Sequence, residues 1–234
     1  MAKYKRIVLK VSGEALAGAD GRGIDGAKVD AVAKQIKKIS EAGIQVGVVV
    51  GGGNFWRGRT SESMDRVCAD QIGMLATVMN ALAIADALRA NGVQGKVFSA
   101  ITMDKVALPY VVADARKCLE NGGVAVFGGG TGAPFFSTDT ASVLRACELG
   151  AEALFCAKAV DGIYDSDPKT NPKAKKYDQI SYDKVIADNL KALDLPGIAM
   201  AREYGLPIVC FGKDEKDAVL RILQGEKLGT TVCK

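Results

Sequence analysis

Six short, continuously apolar runs punctuate this chain, and they constrain its fold more than any other feature. "RIVLKV" occupies 6 to 11, "IQVGVVV" 44 to 50, "KVFSA" 96 to 100, "VAVF" 124 to 127, "ALFCA" 153 to 157 and "PIVCF" 207 to 211. Runs this short, rich in Val and Ile and without polar alternation, suit strands covered on both faces. Helical spacing intervenes. Val29, Val32, Ile36 and Ile39 precede Gly43, and a longer pattern runs from about Glu62 to Ala90 and stops at "NG". Strand alternating with helix predicts an α/β fold, a three-layer α/β/α sandwich with a central, mostly parallel sheet and right-handed crossovers. With 234 residues, 48% of them hydrophobic, the chain can bury one large core, and a single domain over 1–234 is expected. No internal repeat, low-complexity stretch or interdomain linker argues otherwise.

In such a sheet ligands gather beyond the carboxyl ends of the strands. The glycine-rich segments fall there: "KVSGEA" follows the first run, "GGGNFWRGRT" the second and "GGGTGAPFFSTD" the fourth. Together they would present many free backbone N–H groups to a highly charged anion. The most polar segment, "VDGIYDSDPKTNPKAKKYDQ" (160 to 179), reads as a long surface loop.

Composition removes much of the alternative chemistry. The chain has no histidine, which excludes Ser-His-Asp and Cys-His catalysis, histidine bases and histidine-ligated zinc. Its six cysteines never approach C-x-x-C spacing and read as thiols of a reducing compartment. The net charge of +4 is spread along the chain, which suits an anionic ligand better than a nucleic-acid surface. The opening "MAKYKRIVLKVSGEAL" has no apolar core long enough for a signal peptide, and no later window approaches a membrane span. A cytoplasmic protein without membrane or nucleic-acid partners is the expectation.

Two near-matches to known motifs are set aside. "GNFWRGRT" fits a P-loop apart from Arg59, but "SESMD" separates it from the following helix. "GGGTGA" satisfies a dinucleotide fingerprint, but Pro134 and two phenylalanines postpone its helix to an N-cap at Ser137 or Thr138. Single residues leave two readings open. Lys10 is either a strand-end lysine reaching solvent or, beside Ser12 and Gly13, a phosphate ligand. Arg57 is either a surface ion-pair partner or a planar fork on the same anion. Asp139 either complements a helix dipole or orients cationic groups around a phosphoryl group. Asp161, Asp165 and Asp167 either make turns before Pro168 or, with Tyr164, hold a nucleoside.

Taken together, "KVSGEAL", "GGGNFWRG", "GTGAPFFSTDTA" and "VDGIYDSDP", in this order and spacing, resemble the bacterial-type uridylate kinases of the amino-acid-kinase family. The likeness runs from "YKRIVLKVSGEAL" to "GEKLGTTV". It implies the amino-acid-kinase fold and transfer of the γ-phosphoryl of ATP to UMP without a covalent intermediate, with Mg²⁺ held by the ATP phosphates and no protein ligand. By motif, it implies that Lys10, Val11, Ser12, Gly13, Gly53 and Arg57 line the ATP phosphates, that Tyr164 and Asp167 contact the ATP nucleoside, and that Lys158 lies near the adenine. UMP would be held by Gly52, Asp70, Thr131, Gly132, Ala133, Pro134, Phe135, Phe136, Ser137 and Thr138. Lys10, Arg57, Asp139 and Asp194 match the charged catalytic centre. Gly18, Ala19, Asp20, Gly21, Arg22 and Gly23 match a segment linked to GTP activation, and UTP feedback and a hexamer are implied as well. Ala133 stands where many relatives carry Asn, and Lys158 where some carry Thr and others Asn nearby. A non-catalytic UTP sensor on the same fold, or a kinase of another small acid, is the alternative.

Overall fold

The computed structural model describes residues 3–56, 64–190 and 192–234. The strands there are β1 (Arg6–Val11), β2 (Gln45–Val50), β3 (Gly95–Ser99), β4 (Leu108–Pro109), β5 (Val124–Gly128), β6 (Ala153–Lys158), β7 (Ile163–Tyr164), β8 (Lys176–Tyr177), β9 (Gln179–Ser181), β10 (Ile208–Gly212) and β11 (Thr230–Cys233). The helices are α1 (Gly26–Glu41), α2 (Arg66–Ala90), α3 (Val112–Glu120), α4 (Thr138–Leu149), α5 (Tyr182–Ala187), α6 (Leu195–Tyr204) and α7 (Ala218–Leu223), and a 3₁₀ turn spans Gly13–Leu16. Each of the six apolar runs forms a strand, with ends within a residue of those expected.

Nine strands make one sheet in the order β4, β3, β5, β2, β1, β6, β10, β11, β9. Only β10 and β11 pair antiparallel; the other neighbours run parallel. Burial on both faces explains the unbroken apolar runs. Ile7, Leu9 and Val11 enter a core with α1, α2 and α7. Val8, one residue out of phase, enters the opposite core with α3, α4, α5 and α6. The three expected layers follow.

Three local expectations are corrected. The polar stretch 160 to 179 is no plain loop: β7 and β8 pair antiparallel within it, Ile163 opposite Tyr177 and Tyr164 opposite Lys176. Two residues per strand are too few for a periodic signal. The long helix starts at Arg66, later than its pattern suggested, where Asp65 caps it by accepting the Cys68 N–H at 3.1 Å; Glu62 lies outside the described residues. Finally, α2 is long and apolar enough to cross a membrane, with a mean hydropathy of 1.5 over its best window. Part of its apolar surface is used inside the protein, where Ala81, Ile84, Ala85 and Leu88 pack with Val97, Val124 and Val126, while Leu75 and Met79 stay exposed.

Parallel pairing brings the carboxyl ends of β1, β2, β5, β6 and β10 to one edge of the sheet. Because α4 returns the chain from β5, its N-terminus opens onto that edge.

Candidate active site

Strand register builds the charged centre. Lys10 on β1 pairs with Cys156 on β6, so Lys158, two residues further along β6, projects on the same face. Asp139, in the first turn of α4, meets both: Lys10 Nζ lies 3.0 Å from Oδ1 and Lys158 Nζ 3.5 Å from Oδ2. The three side chains are 14%, 21% and 21% exposed. Burial alone would raise the Asp139 pKa, but the two ammonium groups outweigh it and hold the carboxyl below its ordinary value. For Lys158, burial works against the charge and Asp139 restores it, leaving the ammonium above its ordinary value. Beneath them Cys156 and Cys210 are fully buried. Burial pushes the Cys156 thiol well up, and that of Cys210 to about 11, so neither supplies a thiolate.

The glycine segments surround this cluster. A Cβ on Gly13 would lie 2.7 Å from the Gly51 carbonyl oxygen and 2.9 Å from the Gly53 nitrogen, so only glycine lets the first two strand-end turns touch. Gly51 N–H donates to the Val11 carbonyl at 2.9 Å, and Ser12 opens the 3₁₀ turn. On the other side, Ser137 caps α4, its Oγ accepting the N–H groups of Asp139 at 3.0 Å and Thr140 at 3.3 Å. Those bonds fix where the Asp139 carboxylate starts.

The remaining expected residues divide by place. Asp70 on α2 accepts the Phe135 N–H at 2.8 Å and pairs with Arg66 at 2.8 Å, which ties α2 to the 129–137 loop. Thr131 Oγ1 accepts the Ala133 N–H at 3.2 Å, so the backbone there is held although Ala133 has no side-chain amide. Gly132 donates to the Gly129 carbonyl, Pro134 leads into Phe135, and Phe135 (62% exposed, φ 71°) and Phe136 point outward. A left-handed conformation at a phenylalanine is strained, and the Asp70 bond holds it. Thr138 begins α4, its carbonyl accepting from Ser142. Asp194 receives hydrogen bonds from Ser137 and from Thr140, the latter at 2.9 Å, and so grips the N-terminus of α4. Arg57 lies outside the described residues.

Tyr164 and Asp167 belong to the β7–β8 segment. The Tyr164 hydroxyl donates to Asp161 at 2.6 Å, and Asp167 accepts the Lys169 N–H at 2.9 Å. Neither lines the cavity of about 460 Å³ that opens from Lys10, Ser12 and Lys158 and runs between α1 and α7 over Val32, Phe211 and Val219. The turn from Gly18 through Ala19, Asp20, Gly21 and Arg22 to Gly23 lies close by: Gly23 N–H donates to the Asn54 carbonyl at 3.1 Å.

The sequence reading missed a set of buried polar residues. Asn80 on α2 donates to the Gly51 carbonyl and to Asn54 Oδ1, both at 2.7 Å, and Asn54 donates to the Gly23 carbonyl at 2.7 Å. Thr77 Oγ1 accepts the Gly129 N–H at 2.8 Å. Arg145, stacked on Tyr110 at 3.9 Å, donates to the Gly130 carbonyl at 3.2 Å. The only available signal was Thr77 and Asn80, three residues apart in the otherwise apolar stretch 72 to 85.

Two lysines and clustered backbone N–H groups at one sheet edge suit phosphate groups. The amino acid kinase family profile matches residues 5–212. The chain belongs to the amino acid kinase family. Among solved structures, UMP kinase from Bacillus anthracis is 39% identical with a TM-score of 0.95, over 98% of this chain and 96% of its own. UMP kinase from Ureaplasma parvum is 38% identical with a TM-score of 0.93, over 99% and 100%. Uridylate kinase from Archaeoglobus fulgidus, 24% identical with a TM-score of 0.74 over the full length of both chains, shares the fold. In this chain Lys10, Asp139 and Lys158 form one charged cluster at the carboxyl edge of the sheet.

Proposed function

We propose that this protein transfers the γ-phosphoryl group of ATP to UMP, giving ADP and UDP. The observation that carries the reading is the pair of lysines bridged by Asp139 where three glycine-rich strand ends converge. Full-length likeness to two UMP kinases supports the choice of acceptor.

A phosphate oxygen of UMP attacks the γ-phosphorus, and the bond to the ADP oxygen breaks. Lys10 and Lys158 draw charge from the phosphoryl oxygens, and Asp139 keeps both ammonium groups charged and aimed. The turn at Val11, Ser12 and Gly13, with Gly53 and Arg57, cradles the donor phosphates. The cavity between α1 and α7 takes the donor base, its apolar lining of Val32, Phe211 and Val219 suiting a planar ring; Tyr164 and Asp167, matched by motif to the nucleoside, stand outside that lining. The acceptor lies against Gly52, Asp70 and the 131–138 loop. The C-terminal part of the single domain serves mainly the donor, through Lys158, Phe211 and Val219, whereas the N-terminal part serves the acceptor through Gly52 and Asp70 and also lends the 11–13 turn to the donor phosphates. Asp194 acts by holding Ser137 and Thr140.

Both Asp139 oxygens are engaged by lysines, so a Mg²⁺ ion arriving with ATP would take phosphate oxygens and water as ligands. Its chemistry is to offset charge on the β- and γ-phosphates. Feedback by UTP at the acceptor side, a hexamer formed by the exposed side of α2, and a cytoplasmic location complete the proposal, which leaves open whether GTP activates through the 18–23 turn. Leu75 and Met79 on that side are 46% and 43% exposed.

The test is an acceptor screen with ATP and Mg²⁺ against UMP, CMP, acetylglutamate and glutamate. Consumption of ATP with UMP alone is expected. Consumption with an amino acid, or UTP binding without any transfer, would overturn the assignment.

A further inference from the structure

The donor and acceptor loops hang from one turn of one helix. Thr77 and Asn80 are buried in α2, at 4% and 0% exposure, and residues three apart on a helix face the same way. Thr77 Oγ1 holds the Gly129 N–H at 2.8 Å, fixing the start of the acceptor loop. Asn80 Nδ2 holds the Gly51 carbonyl at 2.7 Å, fixing the glycine turn that abuts Gly13 and the donor side. Neither bond is required to form the helix, which is otherwise apolar through this stretch. We infer that Thr77 and Asn80 are positioning residues for phosphoryl transfer, one helical turn that sets the separation of the two nucleotides.

This inference rests on the kinase reading and adds residues that touch neither nucleotide. A rigid helix gives the two loops a common reference, and in-line transfer depends steeply on the distance between attacking oxygen and phosphorus. Asn54, bonded to Asn80 at 2.7 and 3.0 Å and to the Gly23 carbonyl at 2.7 Å, ties the 18–23 turn to the same reference.

The experiment compares wild type, Thr77→Val, Thr77→Ser and Asn80→Leu in steady-state kinetics with ATP and UMP, at a temperature well below each variant's Tm. Thr77→Val keeps the side chain's shape and removes the acceptor for Gly129, so kcat should fall about 10²-fold while KM for ATP holds, the loss expected for a misplacement of about 1 Å. Thr77→Ser restores the hydroxyl and should recover kcat to within about threefold of wild type. Asn80→Leu should lower kcat similarly. A folded Thr77→Val with wild-type kcat, or a Thr77→Ser as slow as Thr77→Val, overturns the positioning role. A wild-type chain inert toward UMP overturns both this inference and the kinase reading, whereas an active wild type with unaffected variants overturns the inference alone.

Discussion

Replacing Asp139 by Asn removes one charge and leaves Lys10 and Lys158 facing each other. Each ammonium lies within 3.5 Å of the lost carboxylate. Coulomb's law at an effective dielectric of about 20 gives roughly 5 kcal/mol for either contact, and burying the three charges offsets much of that. Removing one partner of a largely buried ionic cluster costs about 3–5 kcal/mol of folding stability. The pH dependence has a definite sign. The Asp139 carboxyl is held below its unfolded value of about 3.9, so its contribution is present above that pH and lost as pH falls through the lower folded value. Lys158 is raised, so its share persists below about pH 10.4 and is lost only as pH rises through the folded value. Urea unfolding should therefore show a stability gap between wild type and Asp139→Asn that is constant near neutrality and closes below about pH 4. In a coupled assay for ADP, kcat should fall about 10²-fold or more, since misdirected lysines no longer meet the transferring group. ATP, bringing its own negative charge, should stabilise the variant more than it stabilises wild type. A variant with kcat within about threefold of wild type, or a stability gap indifferent to acid, would refute the reasoning.

Other substitutions probe separate parts of the site. Gly13→Ala puts a methyl 2.7 Å from the Gly51 carbonyl oxygen, so it should cost at least about 1–3 kcal/mol in thermal unfolding and sharply reduce turnover. Ser137→Ala removes the cap of α4 and one partner of Asp194, and should lower stability by about 1–2 kcal/mol in urea titrations. Val32→Phe fills the cavity between α1 and α7, so KM for ATP should rise about tenfold while KM for UMP stays unchanged; equal effects on both would place the donor base elsewhere.

The fold was legible where burial on both faces made strands continuously apolar, as in "RIVLKV" and "VAVF". It was illegible where strands are two residues long, as in β7 and β8, because pairing there depends on neighbours distant in sequence. The Lys10 and Asp139 pairing followed from the motif resemblance, but the near-symmetric role of Lys158 needed the β1–β6 register. Thr77 and Asn80 in α2, and Asn54 in the turn after β2, could not be assigned from sequence because a buried polar residue carries no mark of the backbone group it holds.

The central claim is that the chain only holds two nucleotides in line, with no residue carrying the phosphoryl group between them. Transfer from ATP made chiral at the γ-phosphorus to UMP tests it directly. Inverted configuration in the UDP product is predicted; retention would show a covalent phosphoenzyme and contradict the account.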